Sequence, residues 1–279
     1  MKVGIVADEI SRDFAEALRV GTAAGLRRYE VRFLKSGRAP MCDRGELLEV
    51  ERLARAEGVE ITALSPGLFK YSSDARSFAR EMSEVYPKAA EWAHRWGLRG
   101  LIVFGFQKPG ATEENGDLVS SANPPAELVG WFAEAAERAK RDGLQLIIEP
   151  EPICWADTGT VTAALIRRTG VESLRINYDP GNIAWMERRD PLDEFPDLAP
   201  LIANVHVKDL RAAPRGSGKP EFVPPGAGVI DYRAHFAALQ RIGYDGPVSL
   251  EPHMDGSADT IRTCKEAFDR LWSAARRSG

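Results

Sequence analysis

The chain has 279 residues, 44% of them hydrophobic and 28% charged, with a net charge of −4 and a pI near 5.7. This composition fits a soluble globular protein of one large α/β domain or two small ones, and it offers no long-range attraction for nucleic acid or an anionic membrane. Cys42, Cys154 and Cys264 show neither metal-ligand spacing nor a disulfide framework, and neither a signal peptide nor a membrane-spanning run is evident, so the expected location is the cytoplasm.

The first expected strand covers residues 3–7 and is followed by a helix over 12–24, with Phe14, Ala15 and Leu18 on one face. A strand over 29–34 leads to a helix over 44–57, where Asp43 and Glu46 have capping-box spacing. A strand over 59–64 precedes a long helix over 74–96, whose stripe is Phe78, Met82, Val85, Ala89, Trp92 and Trp96. Next come a strand over 99–105, a long loop over 107–125 and a helix over 126–142. A strand over 144–149, a helix over 160–169 and a strand over 174–179 follow. Pro191, Pro196 and Pro200 make any helix in 190–200 short or broken. The last units are a strand over 202–207, a long loop over 210–230, a helix over 232–242, a strand over 247–251 and a helix over 257–275. The two long loops are expected to be substrate lids.

Six helices end in a glycine followed by an apolar residue: Gly25-Leu26, Gly58-Val59, Gly97-Leu98, Gly143-Leu144, Gly170-Val171 and Gly243-Tyr244. Such a glycine closes the last turn in the left-handed conformation. Repetition about every 30 residues marks successive βα units. Eight units with no linker predict a single (β/α)8 TIM barrel over residues 1–279. A doubly wound dinucleotide fold is disfavoured, because the turn Ala7-Asp8-Glu9-Ile10-Ser11 after the first strand has no glycine.

The expected strands five to eight each end in one polar residue: Glu149, Asp179, His206 and Glu251. Strand C-termini of a parallel barrel meet on one face, where active sites are built. Three carboxylates and an imidazole at one point repel unless a cation sits among them, and the donor set suits Mn²⁺, Mg²⁺ or Co²⁺. Strand alternation puts Glu151, Lys208 and His253 further out on the same side. Lys208 and His253 are candidate substrate contacts. Trp155, Trp185 and Phe69 are candidates for stacking on a sugar or ring, with packing in the lids as the alternative. Lys208, Arg211, Arg215 and Lys219 form a basic stretch in an acidic chain, and Arg211 or Arg215 is expected to meet an acidic group on the substrate.

At these residues the chain resembles the xylose isomerase-like barrels, the sugar-phosphate isomerase/epimerase superfamily. The resemblance rests on Ile148-Glu149-Pro150, Asp179-Pro180-Gly181-Asn182, Val205-His206-Val207-Lys208-Asp209, Gly226 to Asp231, and Leu250-Glu251-Pro252. It implies that Glu149, Asp179, His206 and Glu251 bind one divalent ion, Mn²⁺ first, and that Glu149 and Glu251 are the acid/base pair of an enediolate reaction. The activity it implies is isomerase or epimerase on a sugar, keto-sugar or cyclic polyol. The chain departs from ketose 3-epimerases at three substrate contacts. Asn182 stands for a histidine, Ala212 for an arginine and Trp155 for a glutamate. The Val-His-Val-Lys-Asp run is similar to inosose dehydratases, so a lyase acting on an inosose-like or dehydroshikimate-like substrate is the alternative. A sugar-sensing barrel or a subunit of a larger complex is the reading from another class. A small carbohydrate or polyol is the expected partner, with no nucleic acid and no membrane, and with homo-oligomer formation left open.

Overall fold

The computed structural model describes residues 3–112, 124–211 and 219–276. Eight strands form the barrel: β1 (Gly4–Val6), β2 (Arg28–Val31), β3 (Glu60–Leu64), β4 (Gly100–Val103), β5 (Gln145–Ile148), β6 (Leu174–Tyr178), β7 (Ile202–Val207) and β8 (Val248–Leu250). They pair in sequence order, every neighbouring pair is parallel, and β8 closes on β1. Two irregularities break the ladder. Thr62 is skipped opposite Tyr29 and Glu30, and Ala203 is skipped between the partners of Ile176 and Asn177. An extra residue of this kind re-aims the side chains beyond it.

The outer helices are α1 (Phe14–Ala23), α2 (Arg44–Glu57), α3 (Ala75–Arg95), α4 (Ala126–Arg141), α5 (Gly159–Thr169), α6 (Pro180–Glu187), α7 (Tyr232–Arg241) and α8 (Ala258–Arg276). All six predicted terminal glycines have left-handed φ, between 60° and 83°. After five of them the next amide reaches back to the last helical turn, as in Leu26 to Gly21 at 2.8 Å and Val59 to Ala54 at 2.9 Å. The apolar side of each helix then lies on the barrel, as with Trp92 and Tyr86 of α3 and Phe132 of α4.

Three local expectations change. The capping box of α2 does not form: Asp43 accepts from Gly45, while Glu46 turns to Ser36. Helix α3 contains a wide turn at Glu81–Val85, where Pro87 lacks the amide that would continue the ordinary ladder. Residues 180–187, with no helix predicted, form α6, because Asp179 caps it through Oδ1 to the Asn182 amide at 3.0 Å and Pro180 starts it. The segment 190–200 is broken as expected, into short turns at Leu192–Glu194, Phe195–Leu198 and Ala199–Leu201. Of the two expected lids, residues 113–123 and 212–218 lie outside the described residues. No helix among the described residues is long and apolar enough to cross a membrane.

Candidate metal and active site

The register of the last two strands sets the site. Ser249 pairs with His206 and Leu250 with Val207, so Lys208 and Glu251 emerge side by side at the barrel mouth. Glu149 follows β5 directly, and its amide bonds to Val103 at 2.9 Å. Asp179 ends β6 and is held by its capping bond to α6. One donor atom from each of Glu149, Asp179, His206 and Glu251 lies within 4.8 Å of the others, and all four residues are buried. The four predicted strand-end residues therefore do meet at one point.

His206 Nε2 is 2.9 Å from Glu30 Oε2. With Glu30 accepting, Nε2 carries a proton, and Nδ1 faces Glu251 at 3.1 Å, Glu149 at 3.7 Å and Asp179 at 4.0 Å, free to bind an ion once its own proton is lost. Nδ1 is buried and has no hydrogen-bond partner, and neither does Asp179 Oδ2, whose contact with Lys208 is an ion pair at 2.8 Å. Three carboxylates and an imidazole with their donor atoms gathered within 4.8 Å form a donor set for a divalent cation, and an imidazole backed by a carboxylate is the usual arrangement of a metal-bound histidine. The residues present fit the ion that the resemblance implies.

Electrostatics agree. Burial pushes Glu149 up to about 7, and the charges of Glu251 and Asp179 add to it against the pull of His206 and Lys208. Burial opposes charge on His206 too, yet Glu30, Glu251 and Glu149 hold its pKa well above the usual value. Glu251 goes the other way: burial is outweighed by Lys208, His253 and His206, which hold it well below the usual carboxylate range. Asn177 and Asn182 donate to the two oxygens of Glu149 at 3.1 and 3.2 Å and orient it.

A cavity of about 670 Å³ lies over this cluster. Of the four, Glu149 and Glu251 reach its wall, and Asn182, Lys208 and His253 line it as expected. Trp185 and Phe222 form one side. Other candidates lie elsewhere. Trp155 packs against the core, and Phe69 is buried in a cluster with Phe106 and Phe132. Arg211 is exposed and pairs with Glu221 at 2.7 Å, outside the cavity wall. Arg215 and Ala212 lie outside the described residues.

The structure adds residues that the sequence reading passed over. Arg32, just past β2, bonds to Asp8, Glu9 and Glu251. Glu9 Oε1 takes His253 Nδ1 at 2.9 Å, and the left-handed backbone of His253, with φ 52°, turns the ring toward it. Asp8-Glu9 and Arg32 are also charged groups at strand ends, the same signal as on strands five to eight. Glu30 is the largest omission. Replacing it with glutamine is expected to weaken metal binding about 10–100-fold with the barrel intact, measured by competition against a chromogenic chelator. Unchanged affinity would remove Glu30 from the site.

A family profile described as xylose isomerase-like TIM barrel matches residues 18–272. An inosose dehydratase of Lacticaseibacillus casei is 25% identical over 193 residues, 64% of this chain and 61% of that protein. The chain thus spans about three fifths of that relative's length. In structure, the IolI protein with a bound zinc atom superposes with a TM-score of 0.76 at 18% identity, covering 98% of each chain. An L-ribulose 3-epimerase superposes at 0.70 with 19% identity, covering 100% and 97%. Both structural likenesses show the fold. On the profile match, the closed parallel barrel and the ordered strand-end set, this chain belongs to the xylose isomerase-like TIM barrel family.

Proposed function

We propose that this protein is a metal-dependent lyase that removes water from a polyhydroxylated carbonyl compound. A proton leaves the carbon beside the carbonyl, a carbon–carbon double bond forms, and the β-hydroxyl departs as water once protonated. The observation that carries the reading is a third proton-transfer group in the cavity. His253, backed by Glu9, presents Nε2 at 3.4 Å from Lys208 Nζ and 3.6 Å from Glu251 Oε1. Moving one proton between two faces of a carbon requires only Glu149 and Glu251. Expelling a hydroxyl also requires a donor at the leaving oxygen, and we assign that role to His253 in the form that carries a proton on both ring nitrogens.

Glu149, Asp179, His206 and Glu251 would hold the ion, which when bound would polarise the carbonyl and stabilise the charge that develops beside it. Glu251, kept ionised by Lys208, His253 and His206, is the base. Glu149, oriented by Asn177 and Asn182, faces the substrate from the other side. The epimerase reading shares this pair. Support for elimination comes from the dehydratase relative and from the departures at Asn182 and Trp155, where Asn182 serves to hold Glu149 and Trp155 does not reach the cavity.

The test is a turnover panel of inososes, 3-dehydroshikimate and free ketoses, run after chelation with Mn²⁺, Mg²⁺, Co²⁺ or Zn²⁺ restored. Elimination next to a carbonyl yields a conjugated product with new ultraviolet absorbance. Epimerised product without water loss would replace this reading with the isomerase one, and no turnover in any metal-loaded sample would leave a binding or sensing barrel.

A further inference from the structure

The cations around the cavity are not treated alike. Arg32 meets Asp8, Glu9 and Glu251. Lys208 meets Asp179 and Glu251, and Lys70 meets Glu151 at 3.1 Å. Arg38 also lines the cavity, but among the described residues no carboxylate lies within ion-pair distance of it. Its hydrogen bonds run to Ser65 alone, from Nε to the carbonyl at 3.0 Å and from Nη2 to Oγ at 2.9 Å.

Its position is fixed on several sides. Arg38 sits on the second strand of a small hairpin, Phe33–Leu34 with Gly37–Arg38, just after β2. The guanidinium lies 4.8 Å over the ring of Phe33 and 5.5 Å from that of Phe104, and both rings line the same cavity. Gly67, at φ 80°, leaves the space that Nε fills: a Cβ there would come within 2.6 Å of it. A planar donor fork is thus held between two aromatic faces, with the edge not bonded to Ser65 still to be matched.

Arg38 is half-buried, and the carboxylates of Glu149 and Asp8 act on it only from beyond contact distance. Desolvation, with Arg32 nearby, pulls the Arg38 pKa down to about 10, still charged at neutral pH. The two bonds to Ser65 use two of the guanidinium's five N–H donors. A guanidinium fork does match the paired oxygens of a carboxylate or phosphate.

We propose that Arg38 binds an oxyanion carried by the substrate, a carboxylate or a phosphate ester, so that the compound this site accepts is an acid and not a neutral polyol. This rests on reading the cavity as the substrate site. It assigns to Arg38 the acidic-group contact expected of Arg211 or Arg215.

Three ring probes of matched type separate the cases: myo-inositol, quinate and inositol 1-phosphate. Calorimetric titrations use the full chain, both as purified and after chelation, for wild type, Arg38→Gln and Arg38→Lys, with folding checked by circular dichroism. At least one anionic probe should bind wild type about tenfold or more tightly than myo-inositol. Arg38→Gln should erase that preference, Arg38→Lys should keep part of it, and added salt should weaken it. Preference for quinate assigns a carboxylate, and preference for inositol 1-phosphate assigns a phosphate. The proposal is overturned if neither anion outbinds myo-inositol in wild type, or if Arg38→Gln keeps the preference. No step of the titration reads turnover. Failure of the lyase assignment therefore leaves this result standing, while efficient turnover of a neutral inosose by Arg38→Gln would overturn only the anion site.

Discussion

Glu251→Gln abolishes turnover, with an expected loss in kcat of about a thousandfold or more on whichever substrate the panel identifies. Glutamine keeps the shape of the side chain and removes its charge and basicity. Glu251 is where the site's contacts cross: Arg32 on one oxygen, Lys208 at 2.6 Å on the other, and His206 Nδ1 at 3.1 Å. The fold should survive. Arg32 retains Asp8 and Glu9, and Lys208 retains Asp179, so neither cation is stranded. Circular dichroism should therefore match wild type while kcat collapses. A variant retaining more than about a tenth of wild-type kcat would exclude Glu251 as the base.

His206→Ala should reduce the metal content from about one ion per chain to almost none, measured by atomic emission after gel filtration. It should also strand Glu30, which is fully buried and points at the removed ring. Breaking such a pair typically destabilises by about 3–5 kcal/mol, readable by denaturant titration. Full metal content in this variant would dissolve the proposed ligand set. In wild type, metal uptake is tied to protons. Burial raises Glu149 to about 7, so below that value an ion must displace a proton from it, and His206 must also give one up. Affinity should therefore rise as the pH increases through about 7, with proton release on binding detectable in buffers of different ionisation enthalpy.

The barrel and the four strand-end residues were legible because both are written in local patterns. The helix-terminal glycines mark units, and Glu149, Asp179, His206 and Glu251 stand out against the apolar runs before them. Glu30 was not legible. It lies inside β2 between Tyr29 and Val31, where a charged residue ordinarily faces outward. Only the skipped Thr62 in the neighbouring strand marks how this stretch departs from a regular ladder, and strand pairing is not visible in one segment. Arg32 and Arg38 were missed for a related reason. The expected strand over 29–34 ends early at Val31, and the chain folds into a hairpin. Trp155 packs against the core and does not line the cavity, because proximity in sequence to Glu149 says nothing about which way a turn faces.

The contact between Glu30 and His206 joins residues 176 positions apart, and that between Arg32 and Glu251 spans 219. All four candidate ligands come from the second half of the chain, yet the groups that orient His206 and Glu251 come from its first eighth. Contacts of such separation form late, because loop-closure entropy must first be overcome. A newly synthesised chain could assemble strands five to eight and still lack a competent site until β1 and β2 dock. Tight metal capture in a refolding experiment would then time the sealing of the barrel, acting as a clock for its final step.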